Sequence, residues 1–194
     1  NFAGHSSSGE MHKIYLDSLG EDYGEFVLGR NTTRILHEDP KGLLFTLARY
    51  KFTAKMLAGC ENVLEIGCHE GFGAVLVSSS VEHLLGIDFF LPYIESCERR
   101  IRNPRLRFEA HDILDGPVKG NFDGVFSLDV LEHIRESDEH LFMQNAVRSL
   151  NPKGTMIIGM PSLPSQAYAS EASRIGHVNC KTGEELRDLA SRFF

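Results

Sequence analysis

Several residue types and patterns are scarce or missing in this chain of 194 residues. It has no tryptophan and only four cysteines, none of which forms the C-x-x-C pair of zinc and redox motifs. No apolar run approaches the roughly 20 residues that span a bilayer. No basic segment followed by an apolar one indicates a secretion signal. We therefore expect a cytoplasmic protein with no membrane association.

The chain also lacks an excess of positive charge. Its 27 acidic and 20 basic residues give a net charge of −7, and an acidic surface repels phosphates, so we expect no nucleic-acid partner. One basic cluster is expected to be a solvated helix end and turn, with a phosphate contact as the alternative. It comprises Arg99, Arg100, Arg102, Arg105 and Arg107.

What the chain does contain is a regular alternation of strands and helices. Asp39 and Pro40 suit the N-cap and first turn of the first core helix. Strands alternating with helices are joined by crossovers, which predicts an α/β fold with a doubly wound, mostly parallel sheet and helices on both faces. The predicted strands are 62–66, 83–88, 106–110, 122–128 and 155–160. The predicted helices that follow them are 71–79, 92–102 and 138–150, the last with Ser137 as its cap.

Two further segments flank this core. Residues 1–10 are small and polar and resemble a tag or a disordered lead, and residues 11–38 are expected to form a short helix and loops. Residues 161–181 carry prolines and serines and predict a long loop. The last helix begins at Thr182, where Glu185 completes a capping box.

The strongest local motif is the run VLEIGCHEGFG, residues 63–73, in which a buried strand leads through a glycine-bearing turn into a helix. Glycines permit positive φ and close approach of a ligand to the backbone. Parallel sheets bind ligands beyond the carboxyl ends of their strands. Glu65, just before the turn, is placed to accept a hydrogen bond from a ligand. A tight connection without a ligand is the alternative.

Asp88 ends the second strand and strengthens this interpretation. A carboxylate there can accept the hydroxyls of a ribose, although capping the next helix is the alternative. Gly67, Gly71 and Gly73 do not fit the G-x-G-x-x-G fingerprint of dinucleotide folds in any register, and no G-K-[ST] of a P-loop occurs. These spacings disfavour a nicotinamide oxidoreductase and a phosphate-cradling turn.

Five motifs in order resemble those of class I S-adenosylmethionine-dependent methyltransferases, over about residues 40–160. VLEIGCHEG resembles motif I, GIDFF the second, AHDIL the third, FDGVFSLDVLEHI the fourth, and LNPKGTMII the approach to the fifth strand. The resemblance implies a Rossmann-like methyltransferase fold with S-adenosylmethionine as cofactor and S-adenosylhomocysteine as product. The family's sheet usually has seven strands, so with five we expect truncation before the last two.

The same resemblance implies roles for particular residues. Asp88 would bind the ribose hydroxyls, Phe89 would pack on the adenine, Asp112 would accept from the adenine amino group, and Asp129 would face the methionine moiety. The complete set of implied cofactor-binding residues is Tyr50, Glu65, Gly67, Cys68, Gly71, Asp88, Phe89, Asp112, Ile113, Leu128 and Asp129.

One residue departs from the family pattern. His69 stands where the middle glycine of motif I is usual, and histidine adopts positive φ only at a cost. We expect its ring to crowd or contact the amino-acid end of the cofactor, so that either the turn is locally reshaped or cofactor binding is weakened.

Methyl transfer to an alcohol needs a base, and histidine suits neutral pH. His133 follows the fourth strand and His177 lies before the last helix, so both are candidate catalytic residues, with structural hydrogen bonds as the alternative. His111 is expected at a strand end and His140 in solvent. No H-E-x-x-H or similar spacing occurs, so we expect no metal.

The domain organisation and acceptor follow from these assignments. Residues 11–194 would form one methyltransferase domain, with a cap segment (11–38), a cofactor-binding core (39–160) and a substrate-side loop with the final helix (161–194). We expect a small-molecule acceptor methylated on oxygen or nitrogen, such as a sugar nucleotide or an acidic metabolite. A non-catalytic cofactor-binding or partner module is the alternative. The aromatic and basic residues expected to select the acceptor are Tyr15, Tyr23, Phe26, Arg30, Arg34, Tyr168 and Arg174.

Overall fold

Five strands and eight α-helices make up the part of the chain that the computed structural model describes, residues 6–18 and 26–194. The strands are β1 (Asn62–Ile66), β2 (His83–Asp88), β3 (Leu106–Ala110), β4 (Phe122–Leu128) and β5 (Leu150–Gly159). The helices are α1 (Ser6–Ser18), α2 (Arg30–Glu38), α3 (Pro40–Met56), α4 (Phe72–Ser78), α5 (Leu91–Arg100), α6 (Glu139–Ser149), α7 (Glu171–Gly176) and α8 (Gly183–Ala190).

The five strands form one parallel sheet in the order β3-β2-β1-β4-β5. The chain winds outward from β1 in one direction and then returns to add β4 on its other side. The order therefore reverses between β1 and β4, and this reversal leaves a crevice beyond the carboxyl ends of these strands. The predicted doubly wound α/β fold is confirmed.

Helices cover both faces of the sheet. One core cluster packs α3, α4 and α5 against one face, with Val63 and Phe126 among the buried strand residues. The other packs α6 and α8 against the opposite face, with Leu64 and Val125 buried there. Neighbouring strand residues such as Val63 and Leu64 point to opposite faces, so both faces need apolar side chains.

The caps at the edges of this core agree with the sequence in two places. The side chain of Asp39 accepts a hydrogen bond from the Gly42 amide at 2.9 Å and caps α3. Thr182 and Glu185 form the reciprocal capping box of α8. Ser137 does not cap α6, because the helix begins one residue later with Asp138 at the N-cap position.

Three segments differ from the prediction. Residues 6–10 are helical within α1 rather than part of a disordered lead, and residues 1–5 lie outside the described residues. β5 begins at Leu150, because Leu150 pairs with Phe122 across a register shift in the β4 ladder. The expected loop at 161–181 contains a 3₁₀ helix (Leu163–Tyr168) and α7, whose first turn Ser170 caps.

No helix in the described ranges is long and apolar enough to cross a membrane.

Candidate functional site

Two adjoining cavities lie at the carboxyl ends of β1, β2 and β4. The Asp88 cavity has a volume of about 420 Å³. It is lined by Ile66, Gly67, His69, Ile87, Asp88, Phe89, Tyr93, His111, Asp112, Ile113, Asp129, Val130, His133 and Ile134. The Tyr50 cavity has a volume of about 310 Å³. It is lined by Asn31, Thr32, Ile35, Leu43, Thr46, Tyr50, Gly67, Cys68, His69, Glu70, Phe72, Gly73, Leu128, Asp129 and His133.

The turn after β1 forms part of the wall between the cavities. Gly67, His69 and Gly71 all have positive φ, at 80°, 51° and 72°. A Cβ atom at position 67 would lie 2.3 Å from Cγ2 of Val130, so only glycine fits there. His69 adopts this positive φ despite its cost for a histidine, and its ring packs on that of Tyr93 with the centroids 4.1 Å apart. The turn therefore keeps the left-handed geometry without a glycine at position 69.

Asp88 lies at the floor of the larger cavity and is 8% exposed. One carboxylate oxygen accepts the His69 amide at 2.9 Å, and the other accepts the Phe90 amide at 3.0 Å. Each oxygen of a carboxylate has a second lone pair. Asp88 therefore fixes the turn after β1 and keeps acceptor capacity for a ligand.

The far end of the Asp88 cavity is apolar with a polar rim. Ile113 is buried in the wall, whereas Phe89 is 74% exposed at the mouth. The Asp112 carboxylate accepts the Leu114 amide at 2.9 Å, and His111 bonds to the Gly116 carbonyl at 2.9 Å. This loop offers a flat apolar surface beside a carboxylate.

Glu65 is buried beneath the cavities rather than lining them. The Tyr50 hydroxyl donates to its Oε1 at 2.8 Å, while Oε2 has no hydrogen-bond partner within residues 6–18 and 26–194. The pKa of Glu65 is raised to about 8, mainly by burial. The hydrogen bond from Tyr50 lowers this pKa, and the charge of Asp88 raises it further. Burial, the Glu65 charge and this hydrogen bond likewise raise the pKa of Tyr50 well above its ordinary value. Both side chains are therefore neutral at pH 7.

Asp129 closes β4 and lines both cavities. It adopts a left-handed conformation with φ of 58°, and its carboxylate forms an ion pair with Arg49 of α3. Its amide donates to the Gly159 carbonyl at 2.8 Å. Oδ1 of Asp129 and Nε of Arg49 are buried without hydrogen-bond partners among the described residues. The pair therefore has one acceptor atom and one donor atom whose hydrogen-bonding capacity this part of the chain does not use.

The turn after β1 also holds α2 in place. The Glu70 carboxylate accepts the amides of Asn31 and Thr32 at 3.0 and 2.9 Å, together with the Thr32 hydroxyl at 2.9 Å. Burial tends to raise the pKa of Glu70, but these hydrogen bonds outweigh it and lower the pKa. Arg100 donates to the carbonyls of Glu70 and Val27, so this member of the basic cluster makes structural hydrogen bonds, whereas a solvated helix end was expected.

Two histidines and a glutamate meet beside the Asp129 end of the cavities. The rings of His133 and His177 are in edge contact, with their centroids 5.1 Å apart. Glu132 is fully buried, and burial raises its pKa to about 7. Burial and the neighbouring His133 lower the pKa of His177. The two predicted catalytic histidines are thus adjacent in space, although only His133 lines the cavities.

Most of the predicted cofactor-binding residues line the two cavities, and three of the predicted site residues do not: Glu65, Gly71 and His177. Gly71 is instead enclosed by protein, because a Cβ atom there would lie 2.8 to 2.9 Å from Ile101, Cys97 and Phe108.

Arg49, Tyr93 and Thr46 were not predicted at the site. They lie on helices, and only the fold brings them to the strand ends. Helical spacing from Tyr50 could have indicated Thr46, but no motif marked the other two.

Among the residues expected to select the acceptor, those that the structure describes do not line either cavity. Tyr15 and Tyr168 are 64% and 92% exposed, and Arg34 pairs with Glu38 on α2. Tyr23 lies outside the described residues. The cap segment contributes Asn31, Thr32 and Ile35 instead.

Comparisons with known proteins agree with this geometry. Residues 63–154 match the model of a family described as a methyltransferase domain. A probable S-adenosylmethionine-dependent methyltransferase of Mycolicibacterium smegmatis is 29% identical over 114 residues, which cover 58% of this chain and 42% of the relative. The phosphoethanolamine N-methyltransferase of Plasmodium falciparum is 30% identical over 114 residues, covering 55% and 43%. This chain therefore spans less than half the length of these curated relatives.

Among solved structures, the fold resembles the N-methyltransferase NodS of Bradyrhizobium japonicum WM9 in complex with S-adenosyl-L-homocysteine. The TM-score is 0.61 at 21% identity, with 84% of each chain covered.

Proposed function

Because this chain belongs to the class I S-adenosylmethionine-dependent methyltransferase family, we propose that it transfers a methyl group from S-adenosylmethionine to an oxygen or nitrogen of a small molecule. The observation that carries this proposal is the pair of adjoining cavities that share Gly67, His69, Asp129 and His133 at the switch point of the sheet. The Asp88 cavity suits the adenosine moiety of S-adenosylmethionine. The residues shared by the two cavities suit its methyl-bearing sulfonium end.

The residues present fit that cofactor. Asp88 offers carboxylate lone pairs for ribose hydroxyls, and Ile113 with Phe89 offers apolar surface for the adenine. The orphaned oxygen Oδ1 of Asp129 offers an acceptor for a cationic group. When bound, S-adenosylmethionine supplies a methyl group on a positively charged sulfur, which is already an activated leaving group.

The chain's own contribution is then mainly positioning. Holding an acceptor near the methyl group can contribute roughly 7–11 kcal/mol. α2 is fixed over the Tyr50 cavity by Glu70, so it shields the acceptor side from solvent and orients what binds there. An alcohol acceptor also needs its proton removed. Nδ1 of His133 is bound to the Gly176 carbonyl at 2.9 Å, which leaves Nε2 to accept that proton.

A small acceptor is supported by the volume of the Tyr50 cavity, about 310 Å³, and by the net charge of −7. Arg49 supports an acidic acceptor such as a sugar nucleotide or another phosphorylated metabolite, because its buried Nε lacks an acceptor. The name of one relative, which methylates phosphoethanolamine, is consistent with that class.

Calorimetry with S-adenosylhomocysteine tests the cofactor site. We expect Asp88→Asn to weaken binding by about tenfold, roughly 1.4 kcal/mol, through loss of ribose hydrogen bonds. Asp115→Asn is the matched control, because Asp115 is an exposed carboxylate outside both cavities. An unchanged dissociation constant for Asp88→Asn in a folded protein would contradict the assignment.

A release assay for S-adenosylhomocysteine tests the transfer itself, with panels of phosphorylated, nucleotide-linked and uncharged acceptors. Turnover of an uncharged acceptor alone would refute the acidic class. Cofactor binding without turnover of any acceptor would favour the alternative of a non-catalytic binding module.

A further inference from the structure

Glu132, His133 and His177 form a compact cluster of metal-ligating groups. One ligand atom from each residue lies within 4.8 Å of the other two. Two imidazoles and one carboxylate are a donor set that divalent transition metals favour, and three protein ligands leave further positions open for a ligand or water. The sequence predicted no metal here, because His177 lies far along the chain and no short spacing links it to Glu132.

Both histidines are oriented for metal binding. Nδ1 of His133 faces the Gly176 carbonyl at 2.9 Å, and Nδ1 of His177 faces Oε1 of Gln166 at 2.9 Å. A carbonyl oxygen can only accept, so both Nδ1 atoms carry the proton and each Nε2 keeps its lone pair. Metal-ligating histidines characteristically donate the other ring N–H to such an outer acceptor.

The buried carboxylate of Glu132 is also suited to bind a metal ion. Its side chain is 0% exposed, yet neither oxygen accepts a hydrogen bond from another described residue. Burying a carboxylate without a partner is costly, and buried charges are normally paired or bound to metals. The Arg49 guanidinium, which could otherwise offset the charge of Glu132, is engaged by Asp129. Glu132 is therefore built into the core with its hydrogen-bonding capacity unused.

The backbone holds this cluster together before any ligand arrives. The Glu132 carbonyl accepts the amides of Val178 and Asn179 at 2.8 and 3.1 Å. Lys181 and Asn179 in turn donate to Glu139 of α6 at 2.7 and 3.0 Å. These contacts fix the segment after α7 against the segment after β4, so the two histidines are positioned by the fold rather than by chance proximity.

We propose that Glu132, His133 and His177 form a binding site for a divalent transition-metal ion of the Zn²⁺ or Mn²⁺ class. His133 also lines both cavities, so the ion would lie on the acceptor side. Its open positions would suit an acceptor with an oxygen donor, and the ion would then promote loss of that oxygen's proton to solvent. In that case Nε2 of His133 would bind the ion in place of accepting the proton. This use of the ion rests on the proposed methyl transfer, whereas binding of the ion does not.

Titration of the tag-free, chelator-treated chain with Zn²⁺ alone tests the site, without cofactor or acceptor. We expect one ion per chain by calorimetry, and a bound Mn²⁺ signal by electron paramagnetic resonance that Zn²⁺ displaces. Glu132→Gln and His177→Ala should each weaken binding by about tenfold or more, and Gln166→Leu should weaken it through the outer contact. His83→Ala, at an exposed histidine away from the cluster, should leave it unchanged.

Glu132→Gln keeps the shape of the buried side chain, and far-UV circular dichroism establishes that each variant is folded. Absence of saturable binding at one equivalent to the unmodified chain would overturn the proposal. So would binding that both Glu132→Gln and His177→Ala leave intact. A chain that binds S-adenosylhomocysteine but no ion refutes this site alone, and one that binds Zn²⁺ but no cofactor refutes the proposed function alone.

Discussion

The buried Glu65 makes the stability of this protein depend on pH in a direction that a single substitution can isolate. Its pKa is raised by burial to about 8 in the folded chain and is near 4.3 in an unfolded one. Between these values the unfolded state loses the proton while the folded state keeps it. The free energy of unfolding therefore decreases as pH rises through this window, by about 1.4 kcal/mol for each pH unit.

Glu65→Gln removes this dependence while preserving the acceptor for the Tyr50 hydroxyl. We expect the variant to match the parent near pH 5 and to exceed its stability by a few kcal/mol at pH 8. Because the chain has no tryptophan, urea unfolding is best followed by far-UV circular dichroism at pH 5, 6, 7 and 8.

Glu82→Gln is the control for this series, because Glu82 is exposed and its environment changes little on unfolding. Its stability should follow that of the parent at every pH. A constant difference between Glu65→Gln and the parent across the series would refute the reasoning, since it would mean that Glu65 ionises alike in both states.

Two further predictions concern packing and charge. Gly73→Ala should destabilise the protein by about 1–3 kcal/mol in urea unfolding, because a Cβ atom there would lie 2.0 Å from the Tyr50 ring. Gly183→Ala meets nothing within 4 Å and should instead be neutral or stabilising by up to about 1 kcal/mol; equal effects of the two would contradict this account. Lys181→Met should cost about 3 kcal/mol in the same assay, because Lys181 and Glu139 are only 11% and 13% exposed and the carboxylate would lose its ion-pair partner. A thermal midpoint equal to that of the parent would show that the pair contributes little.

Much of the fold could be predicted from the sequence, because β1, β2 and β4 are apolar strands buried along most of their length. β1, β2, β3 and β4 have the predicted limits, although Arg107, Glu109 and Ala110 of β3 are exposed. β5 starts earlier than predicted because Leu150 pairs with Phe122, whereas the turn-like residues 151–154 lie in the register shift before Thr155 pairs with Gly124. Long-range pairing of this kind leaves no local pattern in the chain.

The candidate site was likewise predictable only in part. Asp88 and Gly67 stand at strand ends, where sequence position alone predicts the cavity edge. The ion pair of Arg49 with Asp129 joins a helix to a distant strand, and the contact of His177 with His133 joins two loops. Such partners are selected by the tertiary fold. Glu65 was expected to accept a hydrogen bond from a ligand, which stays a prediction; its bond to the Tyr50 hydroxyl of α3 is a further tertiary contact that no local pattern indicated.

Two consecutive residues in the turn after β1 connect it to different parts of the fold. The His69 amide donates to the Asp88 carboxylate of β2, and the Glu70 carboxylate accepts the Thr32 amide at the start of α2. The contact at position 69 involves the backbone amide, and the contact at position 70 involves the side chain. A histidine can therefore stand at position 69 in place of glycine and still donate its amide to Asp88. A substitution that shifts this turn should therefore disturb both the Asp88 carboxylate and the start of α2, because contacts of residues 69 and 70 fix both.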